Sequence, residues 1–309
     1  MNRTRFGWVG AVSAVAWMLV PAAGSAHGFA GKRFFPATLA TDDPFVADEL
    51  SLPTVSSSRT SATDDEPSAR VETISVDIAK RITPNFGIEL GKEYDRIKPQ
   101  GEASIGGMDN LGVGLKYQFV KDEAREMIFS VGLDTDIGGT GKKSIGAESF
   151  NTYTPGIFFG KGLGDLPEGA SMLRPLAITG SAGVAIPARG QTDEGRNPDS
   201  LEIGFAVEYS LTYLQSVVKD VGLPAPFDRM VPLVEVSLEK PFQNGADTLT
   251  GNVYPGVVWA GHYFQLGLEA IVPVNHDSGR GTGVLAQLHF FIDDLFPHSI
   301  GRPLFDGSP

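Results

Sequence analysis

The chain has 309 residues, a formal net charge of −12, 41% hydrophobic and 20% charged residues, and no cysteine. The apolar share excludes disorder throughout, and the missing cysteine excludes disulfide scaffolds, thiolate metal sites and cysteine nucleophiles. A mean hydropathy of −0.03 excludes a helical membrane protein, while glycine, 38 residues or about 12% against a usual value near 7%, is in clear excess.

Residues 1–26 start with Arg3 and Arg5, run apolar from Gly7 to Val20 and end on Gly24, Ser25 and Ala26. This is the pattern of a secretory signal peptide, with cleavage predicted before His27. Its apolar run is shorter than the ~20 residues of a spanning helix. Loss of Arg3 and Arg5 takes the formal charge from −12 to −14, a balance that repels nucleic acid. From Asp42 to Ser68 the chain is rich in Asp, Ser, Thr and Pro and reads as an extended loop or tail.

After Arg70 apolar residues recur at every second position, segment after segment, between clusters of Gly, Asn, Asp or Pro. That is the period of a strand with two unlike faces. Strands are predicted near 71–79, 85–95, 111–119, 126–136, 149–160, 173–186, 201–213, 231–240, 249–260, 264–272 and 282–292. The longest alternation is Leu201, Ile203, Phe205, Val207, Tyr209, Leu211 and Tyr213, opposed by Glu202, Gly204, Ala206, Glu208, Ser210 and Thr212. Gln215–Val221 reads as a helix or a polar linker.

Alternating strands suit either a soluble sandwich or a membrane barrel, which differ in where the apolar face points. Segments of about 9–13 residues match a tilted bilayer crossing better than the usual strand of about 5–6. Glycines on the polar faces, among them Gly87, Gly112, Gly204 and Gly267, fit a backbone that bends or crowds. Tyr94, Phe119, Tyr213, Trp259 and Tyr263 near segment ends fit interfacial girdles. The expected fold is therefore all-β, a transmembrane antiparallel up-and-down β-barrel in the bacterial outer membrane. Short and long connections alternate, which calls for one more strand near Val46–Val55, twelve in all, with both chain ends in the periplasm. The expected organisation is a signal peptide at 1–26, an N-terminal periplasmic segment or plug at 27–45, a barrel at 46–292 and a tail at 293–309. Phe29, Phe34, Phe35 and Phe45 suit a plug, a greasy mouth or a periplasmic tail.

The segments GVGLKYQF (112–119), PGIFFGKGLGDLP (155–167), LRPLAITGSAGVAIP (173–187), LEIGFAVEYSLTYLQ (201–215) and VPLVEVSLEKPF (231–242) resemble the exported barrel proteins of the "MetA-pathway of phenol degradation" family. The resemblance spans roughly 70–292. It implies a bacterial outer-membrane barrel, often described as a transporter, with no catalytic residues to carry over and with aromatic or otherwise apolar cargo. One departure is the chain beyond Phe291, since such barrels commonly end on an aromatic residue; the tail is expected to fold back as a plug or dock in the periplasm.

With the apolar faces in lipid, Leu111, Val113, Leu115, Tyr117, Leu201, Ile203, Phe205, Val207, Leu266 and Leu268 are the lipid-facing candidates. The opposite faces would line the lumen with Asp77, Glu89, Glu93, Lys116, Asp134, Asp136, Glu202, Glu208, Glu235, Glu239, Glu269 and His289. Such a lumen favours cations or polar neutral solutes. Alternatively these groups pair with one another, with Arg174 or with plug residues and fill the barrel. The expected partners are outer-membrane lipid, small solutes and the outer-membrane assembly machinery, and no cofactor is expected.

Other chemistry finds little support. His27 as a new N-terminus could chelate copper, but His262, His276, His289 and His298 lack the spacing of a zinc site. Asp134-Thr135-Asp136 starts like a calcium loop, yet its twelfth position is Ile145. The GTGKKS run at 139–144 has Lys143 where a phosphate loop needs Ser or Thr. No Gly-x-Ser-x-Gly elbow occurs. A structural or adhesion barrel is the main alternative to a channel. A lipid hydrolase would need a His–Ser pair facing the bilayer, whereas His289 shares the lumen parity of Gln287 and no partner for it is evident.

Overall fold

The computed structural model describes residues 28–62, 67–193, 195–242 and 248–305. The predicted leader and His27 lie outside the described residues. Twelve antiparallel strands close into a barrel: β1 (Glu49–Arg59), β2 (Ala69–Thr83), β3 (Phe86–Pro99), β4 (Leu111–Asp122), β5 (Met127–Ile137), β6 (Thr152–Gly162), β7 (Leu176–Pro187), β8 (Ser200–Tyr209), β9 (Met230–Pro241), β10 (Thr250–Ala260), β11 (Phe264–Pro273) and β12 (Gly283–Phe291). Each pairs with its chain neighbours, and β12 pairs with β1 from Val284 opposite Ser57 to Phe291 opposite Glu49. Closure leaves no barrel strand with an unpaired edge, the condition for crossing a bilayer with strands.

One rim, the turn rim, carries the connections 84–85, 123–126 and 261–263 and both described chain ends; the opposite loop rim carries 100–110, 138–151 and 274–282. Two turn-rim connections are long, 163–175 and 210–229. The second corrects the sequence expectation. Strand β8 stops at Tyr209, and Leu211–Tyr213 with Leu214–Val218 forms a helical turn in place of a continued strand. Ser210 is the reason: its hydroxyl accepts the Tyr213 backbone N–H at 3.1 Å, an N-cap that starts a helix while the apolar alternation runs on. Tyr213 is consequently buried at the rim and is not part of an aromatic girdle. Tyr94, Phe119 and Tyr263 are exposed, and Trp259, Phe264 and Phe290 stack in series at 5.5 and 6.4 Å near the turn rim.

Along the strands, exposed apolar residues alternate with buried polar or small ones. In β8, Ile203, Phe205 and Val207 are exposed while Gly204, Ala206 and Glu208 are buried. Phe205 and Leu115 are each 37% exposed and Leu266 47%, so these side chains lie on the outer surface and do not meet across an apolar core. Tyr117 and Leu268 are exposed as well, and Leu111, Val113 and Leu201 are half-buried. The inward rows are not polar throughout, however. Val231 and Leu233 of β9 and Val258 of β10 point inward with Glu235 and form an apolar cluster against Leu39.

Leu39 belongs to a strap, Gly28–Asp48, that fills the turn-rim half of the barrel. Its first residues form a two-residue ribbon, Phe29–Ala30 with Arg33–Phe34. Ala30, Phe35, Ala37, Phe45 and Ala47 of the strap bury with Ile128 and Ala177 of the wall. The inward glycines owe part of their excess to this strap: a Cβ at Gly267 would stand 2.5 Å from Leu39 Cδ1, and one at Gly87 2.8 Å from Val46 Cγ1. The tail docks on the same rim, where Leu304 and Phe305 donate backbone N–H groups to the Arg81 and Ile82 carbonyls at 3.2 and 2.9 Å.

Candidate functional site

Three polar anchors hold the strap. At its start Arg33, fully buried, donates Nε to Glu126 Oε2 at 3.1 Å, Nη1 to the Pro175 carbonyl at 2.9 Å and Nη2 to the Arg174 carbonyl. Tyr213 lies beneath it with the guanidinium carbon 3.8 Å from the ring centre, and its hydroxyl donates to Glu126 Oε1 at 2.7 Å. Burial and that bond to Glu126 push the Tyr213 phenol up to about 12, so it stays a donor at any physiological pH. Arg174 itself pairs with Glu168 at 3.3 Å on the turn rim; it does not neutralise lumen acids.

At the middle of the strap, Glu235 accepts the Leu39 and Ala40 N–H groups at 2.7 and 3.0 Å and the Thr41 hydroxyl at 2.8 Å. Gln265 clamps Ala37 on both sides, accepting its N–H at 3.2 Å and donating to its carbonyl at 2.6 Å. Where the strap returns to the wall, Lys116 donates to the Asp43 carbonyl at 2.8 Å and Ser130 to that of Pro44. Asp48 then receives Lys80 Nζ at 2.6 Å and Arg81 Nε at 2.8 Å.

Replacing Arg33 with Met should leave Glu126 buried without its counter-charge, a loss of about 3–5 kcal/mol when one partner of a buried pair is removed. Because the chain has no cysteine, a single Ala30→Cys reporter can follow the result. Its labelling by a soluble thiol reagent is expected to quicken at least about tenfold in the Arg33→Met background, as local opening is eased; an unchanged rate would mean that Arg33 does not hold the strap.

Two cavities of about 450 Å³ each flank the strap, and both are lined by Ala40, Thr41, Asp42 and Asp134. The strap's tip therefore divides the lumen. The first cavity lies against β1–β5 and β12 and is lined by seven carboxylates, Asp42, Asp43, Glu49, Asp77, Glu89, Glu93 and Asp134, with Lys116 as its one lysine. Lys116 also lies 4.6 Å from the centre of the Phe158 ring. The second cavity lies against β5–β10, is lined by Glu202 and Glu239, and reaches the loop rim at Asp277 and Ser278. Glu202 and Glu239 face each other in register across β8 and β9.

The remaining candidates sit apart from both cavities. Asp136 is exposed toward the loop rim. Glu208, Glu235 and Glu269 are buried deeper. Glu208 lies 3.5 Å from Thr179 Oγ1. Gly256 leaves the space through which Glu269 approaches Glu235, since a Cβ there would stand 2.5 Å from Glu269 Cγ.

His289 has a partner that the sequence left unseen. Its Nδ1 lies 2.9 Å from Ser51 Oγ, and its Nε2 lies 3.6 Å from Glu49 Oε2. All three residues line the first cavity and face the lumen. An acyl chain in the bilayer would have the barrel wall between itself and this Ser–His pair.

No family model matches the chain, and no curated protein does. Among solved structures, the COG4313 outer membrane channel from Pseudomonas putida F1 matches with a TM-score of 0.56 and 10% identity, covering 84% of this chain and 99% of that one. The fold is that of an outer-membrane β-barrel. Two porins, NanC and KdgM in complex with disordered oligogalacturonate, match with TM-scores of 0.47 and 0.43 and 9% and 10% identity; each match covers 77% of this chain and 98% of the porin. At 10% identity the likeness to the first of these structures shows the barrel fold alone.

Proposed function

We propose that the protein is a bacterial outer-membrane channel that passes small cationic or polar neutral solutes and is not an enzyme. The observation that carries this reading is the lining of the first cavity, seven carboxylates against one lysine, inside a wall whose apolar side chains are exposed outward. Negative charge along a confined polar passage concentrates cations and repels anions. The predicted leader would deliver the chain across the inner membrane, and the assembly machinery would insert it with the turn rim in the periplasm and the long loops outside. In that orientation solutes enter the cavities from the loop rim and meet the strap before the periplasm.

Swelling of liposomes carrying the purified protein tests this reading. Small cationic and neutral solutes are expected to enter, and carboxylates of equal size to enter several-fold more slowly; equal rates for both charges would remove the role given to the acids. Phenol, the type of cargo that the family resemblance implies, belongs in the same series. The first cavity, lined by those seven carboxylates, offers it chiefly polar surface, so it is expected to gain less from the protein than a cation of similar size.

A further inference from the structure

Resting on the channel reading, we propose that the first cavity holds a specific seat for an organic cation with a primary ammonium head, at the seam where β12 closes on β1. The seam is irregular: pairing runs from Gln287–Thr54 to His289–Ser51, with Leu52 and Pro53 as a bulge between them. Bulges re-aim side chains, and here they gather polar groups toward one cavity. Glu49 and Gln287 are each 8% exposed and His289 3%. All three line the cavity, and each carries a buried polar atom without a hydrogen-bond partner among the described residues: Glu49 Oε1, Gln287 Oε1 and His289 Nε2.

Buried polar atoms are paired in the great majority of proteins, and orphans call for an explanation. Two of these three can only accept. The Gln287 amide nitrogen already donates to Thr54 Oγ1 at 3.2 Å, while its oxygen is left unpaired. The His289 Nδ1 contact with Ser51 leaves Nε2 facing Glu49 across 3.6 Å, too wide for a good hydrogen bond. What the seam lacks is therefore N–H donors and positive charge. The cavity's lysine does not supply them: Lys116 Nζ is anchored on the Asp43 carbonyl at 2.8 Å and bonds to none of the three atoms.

A primary ammonium brings three donors and one charge. A quaternary ammonium brings the charge alone, and a diol brings donors without charge. A hard divalent metal ion would want six or more oxygens, whereas this seat offers a carboxylate, one amide oxygen and an imidazole. About 450 Å³ of cavity leaves room for the alkyl body behind the ammonium head.

Isothermal titration of the full-length mature protein in detergent, with 1,4-diaminobutane as the probe, tests the seat without requiring conduction. One site is expected, with affinity at least about tenfold above that for tetramethylammonium or 1,4-butanediol, and at least about tenfold lower in Glu49→Gln, as expected when a charged hydrogen-bond partner is lost. Gln287→Leu, which keeps every carboxylate, is expected to weaken binding several-fold and serves if Glu49→Gln fails to assemble. Equal affinity for diaminobutane and tetramethylammonium would overturn the proposal, as would binding that neither variant changes or full displacement by equimolar Mg²⁺. Potassium conductance of the same preparation in planar bilayers keeps the two readings apart. Conduction without selective binding would sink the seat alone, and no conduction would sink the channel.

Discussion

A chain that keeps residues 1–27 but lacks residues 28–45 is expected to conduct at least about fivefold more than the intact protein, because the wall of a twelve-stranded barrel is wide enough to leave a water-filled passage once nothing occupies it. The strap places Phe35, Phe45 and its small apolar residues across the turn-rim half of the lumen, and its tip splits what is left into two cavities. The barrel itself should survive the deletion. Its closure depends on β1 from Glu49 onward, and Asp48, which ties Lys80 and Arg81, stays in place. Single-channel recording decides the matter, and an unchanged conductance would show that the strap does not obstruct the path. Glu235→Ala offers an intermediate case. It removes three hydrogen bonds to a carboxylate, each worth about 1.5–3 kcal/mol when one partner is charged. Long closed periods broken by full-size openings are expected from it.

The second large effect concerns the outer wall. Phe205→Lys is expected to destabilise the folded barrel in lipid by about 2–4 kcal/mol, the cost of a lysine on the lipid face near the bilayer midplane. Phe205 sits in mid-strand, paired with Gly180 on one side and Val236 on the other, and its side chain is exposed outward. Glu202→Lys on the opposite face should behave differently. Glu202 faces Glu239 across the strand pair and lines the second cavity, so this change relieves a like-charge contact and should leave stability within about 1 kcal/mol. It should weaken the preference for cations. Urea titration of both variants in phospholipid vesicles measures the first effect, and an equal loss in the two would contradict the inside-out assignment of the faces.

The barrel was legible in the sequence because a period of two is a direct consequence of strand geometry and survives without any tertiary information. It misled where another rule overrode it. Leu211 and Tyr213 continue the alternation of β8, yet the Ser210 hydroxyl caps a helical turn there, and only the preference of Ser for that position hinted at it. The phenylalanines of the strap marked it as a plug candidate, whereas its anchors were out of reach. Arg33 and Glu126 are 93 residues apart, and Ala37 and Gln265 are 228 apart. Neither pair follows from local pattern.

Barrel closure hid the Ser51–His289 contact in the same way, since it joins the first strand to the last. In the sequence the inward glycines imply only bending or crowding; the structure gives Gly267 and Gly87 a particular neighbour, the strap. Val231, Leu233 and Val258 point inward although apolar, because the strap covers them, and parity alone does not reveal a cover.

The reversal potential of the reconstituted protein in a planar bilayer under a KCl gradient bears most directly on an acid-lined passage through a lipid-facing wall. A potential close to that of potassium, moving toward zero when Glu89, Glu93 and Asp134 are changed together to their amides, is the expected result. A potential at zero or on the chloride side, or bilayers that stay silent with folded protein inserted, would contradict it.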